Sequence, residues 1–282
     1  MPGAFGQYEL DVTHGLSLAA SGRVDVHSEY GTFVSPRLSA LLRSGHWTSR
    51  LSFGTGFFGP TPLTEETEAA GLTRLTIVGP LKAERWRSAS FDVSRSDGPV
   101  SYTVTLFSSR IRDPIHVERE PDYVLSNLPD AATNAGVELL GTVRRSSLSL
   151  TVTYTYVRSR ERVNGLDDDV PLTPRQSVGV VGMWERENVG RVGLEWYYTG
   201  HQRLEANPFR ATSVPYAVFG LLAERRFGHV RLFVNGENLT GVRQSRFDPL
   251  LRPTRAADGR WTVDAWAPLE GATVNGGVRL HF

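Results

Sequence analysis

The residues of this 282-residue sequence that could do chemistry are a glycine-rich hexamer, two carboxylate clusters, scattered histidines and a set of arginines. Gly54-Thr55-Gly56-Phe57-Phe58-Gly59 matches the dinucleotide fingerprint G-x-G-x-x-G letter for letter. That fingerprint works only where a helix N-terminus follows, so that its amides can meet a pyrophosphate. Here Pro60-Thr61-Pro62 follows and no βαβ pattern surrounds it. Nucleotide binding is therefore rejected, and the glycines are read as ending a strand and entering a loop. Asp167-Asp168-Asp169 and Glu65, Glu66 and Glu68 offer oxygen ligands. Neither has the spacing by which a loop converges on calcium, and both read as solvated loop charge. His14, His27, His46, His116, His201, His229 and His281 are scattered without metal-binding spacing. A hydrolase would need a serine, a histidine and an orienting partner together, and nothing singles out such a set. No catalytic, cofactor-binding or metal-binding residue is assigned, and the chain reads as something other than an enzyme.

Arg110, Arg112, Arg158, Arg160 and Arg162 flank two long polar stretches, with Tyr197, Tyr198 and His201 at the edge of a third. If these converge at one mouth they could capture an anionic ligand such as an iron chelate, because a guanidinium pairs a carboxylate bidentately. Singly, each is ordinary rim charge, so the substrate-binding residues stay unknown.

Which of these residues can meet depends on the elements that carry them, and those are strands. Leu148, Leu150, Val152, Tyr154 and Tyr156 alternate with Ser147, Ser149, Thr151, Thr153 and Thr155, the two-residue period of a strand with one apolar face. The pattern recurs at Val100, Tyr102, Val104 and Leu106, at Leu16, Leu18, Ala20, Val24 and Val26, and at Val274, Val278, Leu280 and Phe282. Between strands, tight turns at 12–15, 43–46, 96–99, 144–147, 187–190 and 226–229 take turns with longer connections near 28–35, 58–81, 113–133, 160–174, 200–214 and 240–271. One rim of short turns and one of long loops is the plan of an up-and-down transmembrane β-barrel. Trp47, Phe57, Trp86, Tyr197, Tyr198 and Tyr216 fall near strand ends, as an interfacial girdle would place them. In such a barrel Leu148, Leu150, Val152 and Tyr154 point outward to lipid, and Ser149, Thr151 and Thr153 inward. The sequon Asn238-Leu239-Thr240 carries no weight in a bacterial barrel.

Composition agrees with this plan. An apolar fraction of 40 % and a mean hydropathy of −0.25 are compatible with a barrel, whose strands need an apolar residue only at every second position. No run approaches the ~20 apolar residues of a membrane helix. A net charge of +1 gives no reason to expect nucleic acid. Cysteine is absent, and Lys82 is the only lysine among 31 basic residues. About 13 strands are counted, whereas bacterial single-chain barrels have even numbers. The odd count, an N-terminus without signal-peptide features and a first strand already at 5–11 lead us to expect a truncated chain. A complete 12- or 14-stranded barrel, such as a passive channel or an autotransporter translocator, is the alternative, and a soluble β-sandwich binding module a third reading.

Two stretches resemble a known family. Tyr30-Gly31-Thr32-Phe33-Val34-Ser35-Pro36-Arg37-Leu38-Ser39 leads into Trp47-Thr48-Ser49-Arg50-Leu51-Ser52-Phe53-Gly54-Thr55-Gly56-Phe57, and Pro60-Thr61-Pro62-Leu63-Thr64-Glu65-Glu66 follows. This is similar to the mid-barrel region of TonB-dependent outer-membrane receptors, with its "NPR-L" and "GTGFRAPT-EL" patterns. Phe233-Val234-Asn235-Gly236-Glu237-Asn238-Leu239-Thr240-Gly241 resembles the family's penultimate strand. Phe282 resembles the terminal aromatic by which the outer-membrane assembly machinery recognises its clients. Phe58-Gly59 stands where the family has Arg-Ala, and Gly241 where it has Asp. The resemblance implies a single domain over 1–282, the C-terminal part of an all-β, antiparallel barrel, with about 13 of roughly 22 strands and no plug domain. It further implies an outer-membrane location and, in intact relatives, uptake of ferric siderophores or similar nutrients energised through TonB. This chain alone, without plug or TonB box, is not expected to transport.

Overall fold

The computed structural model describes residues 1–61, 75–118, 123–257 and 259–280. From the N-terminus the strands are β1 (Gly3–Asp11), β2 (Leu16–His27), β3 (Gly31–Ser44), β4 (Trp47–Phe58), β5 (Leu75–Ile77) and β6 (Glu84–Asp97). Next come β7 (Val100–Arg112), β8 (Ile115–Glu118), β9 (Tyr123–Asn127), β10 (Ala132–Arg145), β11 (Leu148–Val163) and β12 (Leu166–Asp169). The last are β13 (Gln176–Arg186), β14 (Gly190–Thr199), β15 (Tyr216–Phe227), β16 (Val230–Glu237) and β17 (Thr273–Leu280). Thirteen of them form one antiparallel meander in the order β1-β2-β3-β4-β6-β7-β10-β11-β13-β14-β15-β16-β17. The expected strand number and up-and-down order are both found. Among the described residues β1 pairs only with β2 and β17 only with β16, so the sheet is not closed.

The two rims differ as the sequence predicts. On one, connections such as 98–99 and 228–229 are two residues long and begin on Gly98 (φ 56°) and Gly228 (φ 59°). That is the left-handed first position of a hairpin turn matched to strand twist. On the other, the connections 59–83, 113–131, 164–175, 200–215 and 238–272 carry structure of their own. β12 folds back on the end of β11, and β5, β9 and β8 form a separate small sheet in which β5 runs parallel to β9. The connection expected near 28–35 is the exception. It is a tight turn at 28–30, held by the His27 Nδ1, which accepts from the amides of Glu29 and Tyr30 at 3.1 and 3.3 Å, and β3 begins at Gly31.

The pleat separates the two chemistries. Register aligns Leu51, Phe91, Leu106, Val137 and Tyr156 in one row across five strands, and Trp47, Arg95, Tyr102, Gly141 and Val152 in a lower one. Leu148, Leu150, Val152 and Tyr154 share this face, and Ser149, Thr151 and Thr153 share the other, as expected. Glycines report which face is crowded. A Cβ at Gly6, Gly22, Gly141 or Gly182, all on the apolar face, would meet nothing within 4 Å. A Cβ at Gly136, Gly179, Gly193 or Gly277, on the polar face, would meet Phe107, Tyr197, Met183 or Phe233 at 2.6, 3.3, 3.1 and 2.8 Å. Side chains converge on the polar face and diverge on the apolar one, so the apolar face is convex. Along β11 it runs from Leu148 to Tyr156, eight residues on, or about 21 Å of height at a ~40° tilt, close to the ~25 Å apolar band of outer-membrane barrels.

Candidate functional site

The polar face is a wall built for small donors and acceptors. Ser94 meets Thr103 at 2.9 Å, Thr142 meets Thr151 at 3.3 Å, and Ser159 donates to Asn134 at 2.5 Å. Nearer the short turns, Glu224 bridges Arg191 at 3.3 Å and Arg231 at 3.1 Å. Toward the loops, β1 to β4 and β6 surround an open cavity of about 800 Å³ lined by Arg23, Asp25, His27, Arg37 and Trp86. Arg23 grips Asp25 through both carboxylate oxygens at 2.9 and 2.8 Å.

The glycine hexamer contributes room. Gly54 and Gly56 lie within β4, paired with Ser88 and Trp86, instead of at its end as expected. A Cβ on Gly56 would collide with the Trp86 indole, and one on Gly54 would touch Arg37 Nε at 3.6 Å. The glycines thus let Trp86 lie flat on the polar face. That also corrects the girdle reading for Trp86. Tyr197 stands on the polar face as well, opposite Gly179, and Tyr216 packs against a loop core. Trp47 and Tyr198 do lie in register with the apolar face, where Trp47 meets Tyr102 edge-on at 5.9 Å and Tyr198 stacks with Trp196 at 6.3 Å.

The loops above this wall are packed. Leu204, Trp266 and Ala267 form a small buried core joined by Val214, Tyr216 and Phe247. At its centre Gln244, 0 % exposed, donates to the Asp264 carbonyl at 2.9 Å and accepts from the Trp266 and Ala267 amides at 2.8 and 3.3 Å. Gln202 donates to the Trp266 carbonyl at 3.0 Å, and Arg210 pairs the buried Asp248 at 2.5 and 2.6 Å while lying over Trp266. Asn238 of the sequon is a structural residue. Its backbone takes φ 47°, and its amide donates to the Val242 and Glu270 carbonyls at 2.7 and 2.9 Å. Sequence reasoning missed Gln202 and Gln244, since nothing local marks a glutamine for burial.

A second cleft, of about 450 Å³, lies between β12 and the 200–215 loop and holds Asp168, Asp169, Arg175, His201 and Arg203. Asp168 pairs Arg203 at 2.7 Å, Asp169 pairs Arg175, and His201 Nδ1 lies 2.8 Å from the Ser213 carbonyl. Next to it, beyond the apolar rows, burial pushes the Glu161 carboxyl up, opposed by His116 and Arg203 and reinforced by Glu205 and Asp168. Asp167 pairs Arg162 at 3.1 Å. The acidic triplet is therefore salt-bridged loop charge. Glu65, Glu66, Glu68, His281 and Phe282 lie outside the described residues.

The arginines do not converge on the mouth. Arg110 and Arg112 continue the parity of Leu106, and Arg158, Arg160 and Arg162 that of Tyr156, so all five sit in register with the apolar face. Arg110 faces Arg87 and Arg112 faces Arg85. The arginines that line clefts on the polar side are instead Arg23, Arg37, Arg175 and Arg203, of which Arg23, Arg175 and Arg203 are paired with Asp25, Asp169 and Asp168.

A family model described as "TonB dependent receptor-like, beta-barrel" matches residues 2–239. The chain belongs to the TonB-dependent receptor β-barrel family. Its fold is shared with solved members. A mutant of the ferric enterobactin receptor PfeA from Pseudomonas aeruginosa superposes with a TM-score of 0.72 at 17 % identity, over 99 % of this chain and 44 % of that one. The FrpB iron transporter from Neisseria meningitidis gives 0.70 at 15 % identity, over 98 % and 44 %. The siderophore receptor PirA from P. aeruginosa gives 0.64 at 17 % identity, over 86 % and 43 %. The chain thus spans less than half the length of these receptors. Comparison with curated proteins by sequence gives no match. The TonB-dependent barrel segment seen here is an open antiparallel wall, apolar outside and polar inside.

Proposed function

We propose that residues 1–282 are a single domain, the C-terminal part of the barrel of an outer-membrane receptor that takes up an iron chelate, a ferric siderophore or a nutrient of like charge. The observation that carries this reading is the wall itself. Its convex face has the height and apolarity of a lipid-facing band, and its concave face is lined by hydroxyls and guanidinium groups. Support comes from the iron and siderophore receptors whose barrels it superposes on. The long loops face outward and the short turns face the periplasm. Arg37, which no described carboxylate pairs, is where an anionic chelate would be held first, with Arg23, Arg175 and Arg203 reached only in exchange for their aspartates. Lipid is the partner of the apolar face, and the assembly machinery the partner of the last strand.

Energised uptake belongs to this wall together with a plug and a TonB-contacting segment. Without those parts the chain is not expected, in this reading, to transport. It carries no enzymatic role in this reading. The test is fractionation of the expressed protein followed by uptake of radiolabelled ferric siderophores in a strain lacking other receptors. Recovery in the outer membrane with heat-modifiable mobility is expected, with uptake only when plug and TonB are supplied. Full solubility without detergent would overturn the membrane reading in favour of a soluble module. Diffusive, TonB-independent permeation would favour a passive channel.

A further inference from the structure

Above the apolar rows, the convex face changes abruptly. One row above Leu51, Phe91, Leu106 and Tyr156 come Phe53, Ala89, Ser108, Ala135 and Arg158. Above that come Thr55, Arg87, Arg110, Thr133 and Arg160, and then Phe57, Arg85 and Arg112. Arg85, Arg87, Arg110 and Arg112 are all exposed, and no ion pair joins any of them to a carboxylate among the described residues. The neighbouring acids are otherwise engaged: Glu84 accepts from the Ile115 amide, Asp113 pairs Lys82 at 3.8 Å, and Asp169, opposite Arg160, is held by Arg175. Directly opposed like charges on adjacent strands repel, so this square of four guanidinium groups favours an anion that the described residues do not supply.

Beside the square, the barrel wall is open. Pairing of β3 with β4 ends at Arg37 and Gly54, one residue from Pro36, which has no N–H to give. Beyond that point β3 stays with β2 and β4 stays with β6. The parted strands leave a cleft of about 340 Å³, where Phe33 and Phe57 stack at 3.8 Å and Arg85, Arg87, Arg110 and Arg112 form the flank. Arg85 lies over the Phe33 ring at 5.4 Å. A slot through the wall that holds a stacked phenylalanine pair, flanked by guanidinium groups that no described carboxylate pairs and level with the end of the apolar rows, suits an amphiphile with an anionic head.

We propose that this square and slot bind a phosphorylated glycolipid of the outer leaflet, its phosphates on Arg85, Arg87, Arg110 and Arg112 and its apolar part along the slot and the rows below. Phosphate is favoured over carboxylate because four planar donors at ~5 by ~7 Å spacing match oxygens carrying more than one charge. Basic pockets between membrane-spanning elements hold lipid headgroups in this way. The inference rests on the membrane orientation proposed above.

The test uses the whole protein purified from outer membranes in detergent, titrated with diphosphoryl lipid A, with its enzymatically dephosphorylated form and with inorganic phosphate, bound lipid being read by native mass spectrometry. The diphosphoryl form should bind far better than the dephosphorylated one and should not be displaced by millimolar phosphate. The double variant Arg87→Gln/Arg110→Gln should bind about thirtyfold more weakly, while Arg144→Gln/Arg145→Gln at the short-turn rim should bind as the parent does. Equal binding of phosphorylated and dephosphorylated lipid, displacement by free phosphate, or an Arg87/Arg110 variant indistinguishable from the parent would overturn the proposal. Heat-modifiable mobility checks that each variant is folded. Its absence from the parent protein would fail the membrane reading, whereas a folded barrel that does not discriminate fails only the lipid site.

Discussion

Replacing Val152 by arginine is the sharpest test of which face meets lipid. Val152 lies midway between Leu148 and Tyr156 on β11, flanked in register by Gly141 and Val180, and is exposed on the convex face. A guanidinium there would sit near the middle of the hydrocarbon, at a cost of about 2–4 kcal/mol that falls to about 0–1 near either interface. Leu148→Arg and Tyr156→Arg, at the two ends of the same row of side chains, should therefore cost little. Tyr156→Arg would add to an arginine band that already begins at Arg158. The depth-matched control is Thr151→Arg, one residue away on the polar face, where the change forfeits the 3.3 Å contact with Thr142, about 1 kcal/mol. Stability is measured by guanidinium unfolding of the protein reconstituted in phosphatidylcholine vesicles, using the fluorescence of its 6 tryptophans. The expected order is Val152→Arg far below Thr151→Arg, with both end positions near the parent. A Thr151→Arg penalty equal to or above that of Val152→Arg would refute the assignment of the faces. A flat profile across Leu148, Val152 and Tyr156 would refute the membrane depth.

Gly56→Ala should destabilise by about 1–3 kcal/mol by pushing on the Trp86 ring. Adding Trp86→Ala should recover part of that, and strictly additive melting temperatures would show that the two do not meet. Gln244→Leu removes the acceptor of two buried amides, at about 2–4 kcal/mol for the loop core. It should open the 240–271 connection to limited proteolysis without releasing the barrel from the membrane, and an unchanged cleavage rate would count against that core. Glu161 has its folded pKa raised by burial. Its contribution to stability is thus fully present below the unfolded carboxylate value of about 4.3 and is lost as pH rises through the folded value. Glu161→Gln should flatten that slope in melting curves taken from pH 4 to 8, and parallel pH profiles for parent and variant would exclude it.

The strands were legible because their period is local. Ser147 to Tyr156 states its two faces within ten residues, and turn residues such as Gly98 and Gly228 punctuate the hairpins. What escaped was non-local. The parallel pairing of Leu75–Ile77 with Tyr123–Leu125 joins short segments from two different loops, and the burial of Gln244 depends on Trp266, far along the chain. At 28–30 a polar stretch suggests a longer loop and conceals that His27 caps the amides of a tight turn.

The arginines are the instructive case, since the information was present. Counting by two from Leu106 reaches Arg110 and Arg112, and from Tyr156 reaches Arg158 and Arg160, so parity alone places them with the residues of the apolar face. Proximity to loops suggested a mouth, but in a pleated wall the face is fixed by parity and only the height by distance from the loop. Their height then matters in its own right. A charge just above the last apolar row lies on the face away from the lumen, and the lipid site proposed above is the use that this height suggests. The same rule, applied to Arg23, Asp25, His27 and Arg37, gives the opposite parity. Those four, on the concave side with Trp86, are the groups that an anionic solute crossing the wall's interior would meet.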